Sequence, residues 1–357
     1  MRVVITGATG NVGTSLVERL ADDEAVTEIV GVARRGTDWS PPKTRWVRAD
    51  IATEDLTPVF RGADAVVHLA WMFQPTHKPL ATWRNNVLGA LRVLDAVVAA
   101  GVGTLIHASS VGAYSPGPDG GVPVDESWPT HALPIAAYGR EKSYLERVLD
   151  VFERDHRDIR LVRMRPGFIF KRTSAEAQRR LFAGPLLPNS LVRPGLVPVL
   201  PELPGMRFQA LHASDAAHAY QLALTREVHG AFNVAAEPVL DGPSLADLLG
   251  ARIVRVPRLP VRGALAAAWH LHLVPASPQL LDLALSIPVM DTSRAATELG
   301  WHPSVDALVA VAEVMEGMRR GAGGETPPLH ADAGGALRNR ELRSGVGAEG
   351  GVMEGDR

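Results

Sequence analysis

Short apolar runs alternate with longer amphipathic stretches along the first half of the chain. Val3-Val4-Ile5 runs into a glycine-rich turn, Val12, Leu16, Val17 and Leu20 follow at helical spacing, and Glu28-Ile29-Val30-Gly31-Val32-Ala33 completes a strand–helix–strand unit. The pattern predicts further buried strands over Ala65-Val66-Val67-His68-Leu69-Ala70, Thr104–Ala108 and Ile159–Arg165, with helices from Val87 to Ala100 and from Tyr138 to Asp155. Strand and helix in alternation predict an α/β fold, a Rossmann-type doubly wound parallel sheet.

The turn behind the first strand reads Thr6-Gly7-Ala8-Thr9-Gly10-Asn11-Val12-Gly13. A strand, a glycine turn and a helix N-terminus in succession aim backbone N–H groups and the positive end of the helix dipole at one spot, which suits a pyrophosphate. Gly7 permits the turn, Gly10 lets backbone approach phosphate, and Gly13 lets helix pack on strand. The second strand ends in Ala33-Arg34-Arg35, where an NAD-preferring site offers a carboxylate to the adenosine ribose. Arg34 and Arg35 can instead neutralise a 2′-phosphate, so NADP is the expected cofactor and NAD the second choice.

Periodicity fades after residue 166. Residues 1–166 are expected to form the dinucleotide-binding domain, with 206–236 returning to it; 167–205 and 237–315 then make a smaller C-terminal substrate lobe. Beyond Arg320, residues 321–357 hold ten glycines and few large apolar groups, so that tail is expected to lack order.

Composition narrows the partners. A net charge of −2 over 357 residues leaves no electrostatic footprint for nucleic acid, and no apolar run is long enough for a membrane span. With no cysteine, disulfides, thiolate metal sites and cysteine nucleophiles are excluded, and no histidine spacing suits a metal. The first strand begins at residue 2, leaving no room for a signal peptide, so a cytoplasmic location is expected.

Tyr138-Gly139-Arg140-Glu141-Lys142 places a phenol and an ammonium four residues apart on one helix face. An ammonium near a phenol favours the phenolate and makes it a usable acid/base. Only four of the 37 basic residues are lysines, and one stands here. Ser109-Ser110 follows the strand Thr104–Ala108, at the sheet edge where α/β ligand sites form, and a hydroxyl there can hold a substrate oxygen.

With these three elements in order, the chain resembles the extended short-chain dehydrogenase/reductase family, the NAD(P)-dependent epimerase/dehydratase group, over roughly residues 1 to 315. Further matching features are Asp50-Ile51, His68-Leu69-Ala70, Asn86-Val87-Leu88-Gly89, Arg165-Pro166-Gly167, His212-Ala213-Ser214-Asp215, Phe232-Asn233-Val234 and Leu299-Gly300-Trp301. The resemblance implies that Tyr138 is the general acid/base, that Lys142 tunes it and holds the nicotinamide ribose, and that Ser110 orients the substrate oxygen. Gly7, Gly10, Asn11, Val12, Gly13, Arg34, Arg35, Asp50, Ile51, Leu69, Ala70, Trp71, Asn86, Ala108, Pro166 and Gly167 fall at its cofactor positions. Asp215 is expected in a structural turn. A homodimer through the helices Val87–Ala100 and Tyr138–Asp155 is also implied.

The reaction is less specified than the family. Phe168-Ile169-Phe170 and Phe208-Gln209-Ala210-Leu211 stand where sugar-nucleotide enzymes often carry an arginine and an asparagine. Leu181, Phe182, Leu186, Leu187, Leu191, Leu196, Trp269 and Leu271 give the lobe an apolar set, although side chains of this kind more often pack a lobe than line its pocket. The expected function is an NADP-dependent oxidoreductase interconverting carbonyl and alcohol on a moderately apolar small molecule. The alternatives are an epimerase or dehydratase of a sugar derivative, and a protein that senses NADP(H) by binding it.

Overall fold

A computed structural model of the chain describes residues 1–193 and 195–348. Seven parallel strands form the main sheet: β1 (Arg2–Thr6), β2 (Glu28–Ala33), β3 (Thr44–Arg48), β4 (Ala65–His68), β5 (Thr104–Ala108), β6 (Arg160–Pro166) and β7 (Gly230–Val234). Their order across the sheet is β3-β2-β1-β4-β5-β6-β7, which reverses direction between β1 and β4. A ligand crevice opens at such a reversal, outside the strands' carboxyl ends.

The strands are apolar on both faces because helices cover both. On one side α1 (Asn11–Ala21) and α4 (Ala213–Thr225) bury Leu16, Val17, Leu20 and Tyr220 against Val3, Ile5 and Val162. On the other, α2 (Gly89–Ala100) and α3 (Ala137–Asp155) bury Val93, Val97 and Leu149 against Val4, Val66 and Leu105. Helix α2 ends on Gly101 in the left-handed region, φ 68°.

Two main-sheet strands do not announce themselves by pattern. β3 is an edge strand with no fully buried residue, so it lacks the apolar run of its neighbours. β7 reads as a family feature, but only Phe232-Asn233-Val234 are fully buried and a polar Asn233 interrupts them, so it gives no apolar run.

Three small pairings lie outside the main sheet: Phe168–Phe170 with Ala210–His212, Val199–Glu202 with Arg252–Arg255, and Arg207–Phe208 with Leu240–Asp241. Helix α5 (Ala307–Arg320) buries Ala310, Val311 and Val314 and ends at Gly321. The tail departs from its expectation over its described part. Residues 322–348 pack on the body, with Thr326, Leu329 and Val346 buried; 349–357 lie outside the described residues.

Candidate active site

The glycine loop is held by close contact. Gly7 sits at φ 75°, and a Cβ there would lie 2.7 Å from the Ala70 backbone, so only glycine lets the turn pass the end of β4. Gly10 donates to Gly7 O at 3.0 Å and caps α1 with no side-chain bond. The N–H groups of Asn11, Val12 and Gly13 precede the first intrahelical bond, Thr14 N–H to Gly10 O at 3.0 Å. Asn11 Nδ2 donates to Ile169 O at 3.0 Å, while its buried Oδ1 has no partner. A cradle that a Cβ would fill, a bare helix N-terminus and an orphaned acceptor fit a dinucleotide.

Around this cradle, Leu69 N–H binds Thr6 O at 3.0 Å, carrying Leu69 and Ala70 past Gly7. Asp50 Oδ1 accepts from Ala52 N–H at 2.9 Å, and buried Ile51 faces Gly89. Beyond β2, Arg34 is exposed. Arg35 lines a cavity of about 450 Å³ with Gly36, Thr37 and Asp38, and burial, then the Arg34 charge, lowers its pKa.

At the end of β5 the two serines part company. Ser109 donates to Glu146 Oε1 at 2.5 Å, within an ion pair where Glu146 takes two bonds from Arg165, each 2.9 Å. Ser110 Oγ accepts from Gly112 N–H at 3.0 Å, and it and the Tyr138 ring lie side by side around Gly112, 3.5 and 2.7 Å from where a Cβ there would stand. Tyr138 lies in the first turn of α3 with its ring over Gly112, where a Cβ would come within 2.7 Å of Tyr138 Cε1. Phe73 stacks on the ring at 4.9 Å and 10°, and Trp71 meets it edge-on at 5.6 Å.

Lys142 follows one turn later, its Nζ donating to Ala108 O at 2.7 Å and lying 3.5 Å from the centre of the Trp71 ring. Burial pushes its pKa down to about 7, against the pull of Glu141 and Glu146. Lys142 is turned to Ala108 O and Trp71, and burial pushes Tyr138 up to about 12, outweighing the lowering by the nearby Ser110 hydroxyl.

Asn86 is buried one step from the phenol. Its Oδ1 accepts from Met72 N–H at 2.7 Å, and its Nδ2 donates to Met72 O at 2.8 Å and Glu141 Oε2 at 2.7 Å. It thereby pins the Trp71–Phe73 loop on Tyr138. Glu141 also accepts from Thr82 at 2.6 Å, and burial raises its pKa. Trp71, Phe73, Thr82, Tyr138, Glu141 and Ser277 border a cavity of only about 50 Å³. Pro166 ends β6, and a Cβ on Gly167 would meet Gln209 O at 2.5 Å.

Sequence reasoning missed Glu146, Arg165 as its partner, and Glu141. The signal for Glu146 was its spacing, four residues beyond Lys142 on the same helix face. Asp215 does hold a turn, accepting from Ser304 at 2.6 Å and Val305 N–H at 2.9 Å. His68 and His107 are core residues under the crevice, held neutral by burial, and His212 caps α4. Most of the apolar lobe set faces elsewhere: Leu186, Leu191, Leu196 and Leu271 are exposed, and Trp269 stacks on His77. Of that set Phe182 reaches the site, edge-on to Phe73 at 5.6 Å. Among the described residues no group of three His, Cys, Asp or Glu could hold a metal, and no helix is long and apolar enough to cross a membrane.

The sheet reversal at β1/β4 thus brings a glycine cradle to one end of the crevice and Ser110, Tyr138 and Lys142 to the other. The model of the NAD dependent epimerase/dehydratase family matches residues 3–235, and the chain belongs to that family. It is 39% identical over 110 residues to L-arabinose 1-dehydrogenase (NAD(P)(+)) of Haloferax volcanii, covering 30% of this chain and 41% of that protein. It is 32% identical over 158 residues to UDP-glucose 4-epimerase of Streptomyces lividans, covering 42% and 46%. The matches thus span under half the length of either relative. In fold, it is similar to the Thermus thermophilus UDP-glucose 4-epimerase complex with NAD, with TM-score 0.66 at 21% identity over 89% of this chain and 99% of the other. The Thermotoga maritima UDP-glucose 4-epimerase with UDP-glucose gives 0.68 at 17% over 90% and 99%.

Proposed function

We propose that this chain is an NADP-dependent oxidoreductase that interconverts a carbonyl and an alcohol on a moderately apolar small molecule. The observation that carries the reading is the juxtaposition of the Ser110 hydroxyl and the Tyr138 ring around Gly112 at the carboxyl end of β5, with Lys142 one turn away. When bound, the nicotinamide supplies the hydride chemistry. Ser110 holds the substrate oxygen, and Tyr138 transfers its phenolic proton to that oxygen in reduction and takes it back in oxidation. Phe73, Trp71 and Phe182 give the phenol an aromatic surround that excludes water and favours an apolar substrate.

Gly7, Gly10, Asn11, Val12 and Gly13 would hold the pyrophosphate, Asp50 and Ile51 the adenine, Arg34 and Arg35 the 2′-phosphate. Leu69, Ala70, Trp71, Ala108, Pro166 and Gly167 would border the nicotinamide half, with Asn86 acting through the Trp71–Phe73 loop. NADP preference rests on Arg35 and on the lack of a carboxylate at the end of β2. The exposed Leu88, Val98, Tyr144 and Val151 on and beside α2 and α3 support a homodimer through those helices.

The test is NADPH oxidation against a panel of ketones and aldehydes of graded polarity, with Tyr138→Phe as control. Turnover lost in the variant supports the reading; equal turnover removes the phenol from the mechanism. The UDP-glucose 4-epimerase of Streptomyces lividans, 32% identical over 158 residues, favours a second reading, epimerisation or dehydration of a sugar derivative. A purified protein that retains NAD through gel filtration would move that reading to first place.

A further inference from the structure

The segment after α5 runs the length of the dinucleotide cleft. It starts beside the lobe, where Ala322 O accepts from Glu176 N–H at 3.2 Å. Thr326, only 1% exposed, then donates to Thr9 O at 2.7 Å, inside the glycine loop itself. Glu325, Pro327, His330 and Arg340 face Arg35 across the 450 Å³ cavity at the end of β2. The far end reaches the other side of the crevice, where Gly347 O accepts from His77 N–H at 3.1 Å, in the loop that continues from Phe73.

The segment's hold comes from the body rather than from its own composition. Arg180 donates to Pro328 O at 2.8 Å and His330 O at 3.1 Å. Buried Arg179 is shared between Glu176, at 2.8 Å, and Glu341 of the segment, at 2.6 Å. Arg338 of the segment donates to Pro185 O at 2.8 Å and Asn189 Oδ1 at 2.5 Å. Leu329 and Val346 are its few apolar anchors, so it can open without unfolding the sheet. Charge does not make this arrangement a ready phosphate site, because Asp38, Glu325 and Asp332 line the same cavity as Arg35 and Arg340. The segment lies where the adenosine end of a dinucleotide would pass between Thr9 and Arg35.

We propose that residues 322–348 form a strap over the dinucleotide cleft, and that the cofactor enters only when the strap lifts. The strap rests on the cofactor reading given above. Its latch is the pair Arg338–Asn189 and Arg179–Glu341, and its lift exposes Thr9 and Arg35 together.

The test is stopped-flow binding of NADPH, followed by its fluorescence, to the full chain, to Arg338→Ala with Glu341→Gln, and to a chain ending at Gly321. Thermal melts identify which variants are folded. Association at least tenfold faster in a folded variant is the expected result. In the full chain, amide hydrogen exchange at Gly324, Leu329 and His330 should quicken when NADPH is added. Association within twofold of the full chain, or binding lost in a folded variant, overturns the strap while leaving the cofactor reading intact. If both variants melt early, slower or unchanged exchange in the full chain overturns it. No NADPH or NADH binding by any form overturns the cofactor reading and the strap with it.

Discussion

The Lys142 ammonium lies face-on to Trp71, 3.5 Å from the ring centre, and donates to Ala108 O. A cation over an indole gains about 0.5–2 kcal/mol, yet burial costs it more, and the pKa falls to about 7. The charged form is therefore lost as pH rises through about 7. If the ammonium is needed, kcat/KM should fall over that range. Trp71→Ala admits water beside Nζ and should move the fall to higher pH; a profile that does not move would separate Lys142 from the pH dependence.

Gly112 lets the Tyr138 ring lie flat on backbone, since a Cβ would come 2.7 Å from Cε1. Gly112→Ala should push the phenol from Ser110 without unfolding the protein. Misplacement of about 1 Å is worth roughly 100-fold in rate. Steady-state kinetics should show kcat down by about that factor and NADPH affinity within threefold; unchanged kcat would mean that the ring position is not critical.

Glu146 is a stability residue. Burial opposes its charge, but Arg165, Ser109 and Arg163 outweigh burial and hold its carboxyl at about 2. A depressed carboxylate contributes stability above its unfolded pKa, and loses it as pH falls from about 4.5 through about 2. Glu146→Gln should cost about 3–5 kcal/mol at neutral pH by leaving Arg165 unpaired. Denaturant melts should show the gap between the two proteins closing as pH approaches 2; a gap independent of pH would place the effect in packing.

Much of this site is legible in the chain because its signals are local. Gly7, Gly10 and Gly13 follow one apolar strand, Ser110 ends another, and Tyr138 and Lys142 share one helix turn. Which of the two serines faces Tyr138 is a matter of contacts rather than pattern: Ser109 donates to Glu146, while Ser110 Oγ lies beside the Tyr138 ring. What was not legible depends on distant partners. The tail is ordered by Arg179, Arg180 and His77, far away in sequence, so its glycine content misleads. The lobe leucines have no periodicity to say which way they face, and several face outward. The state of Tyr138 follows from Phe73 and Trp71 burying it, which a helix pattern does not encode.

Arg35 is the half-buried arginine of the pair after β2. Arg35→Ser should weaken NADPH binding about 10- to 100-fold, roughly 1.4–2.7 kcal/mol, and leave NADH within threefold. Equal losses for both nucleotides would mean that Arg35 supports the loop rather than a 2′-phosphate.

The most direct test of the account is a titration of the purified chain with NADPH and NADH, after the protein is denatured and its supernatant read for copurified nucleotide. Nothing should copurify, and NADPH should bind at least tenfold tighter, about 1.4 kcal/mol in its favour. Retained NAD, or NADH bound as tightly as NADPH, would contradict it.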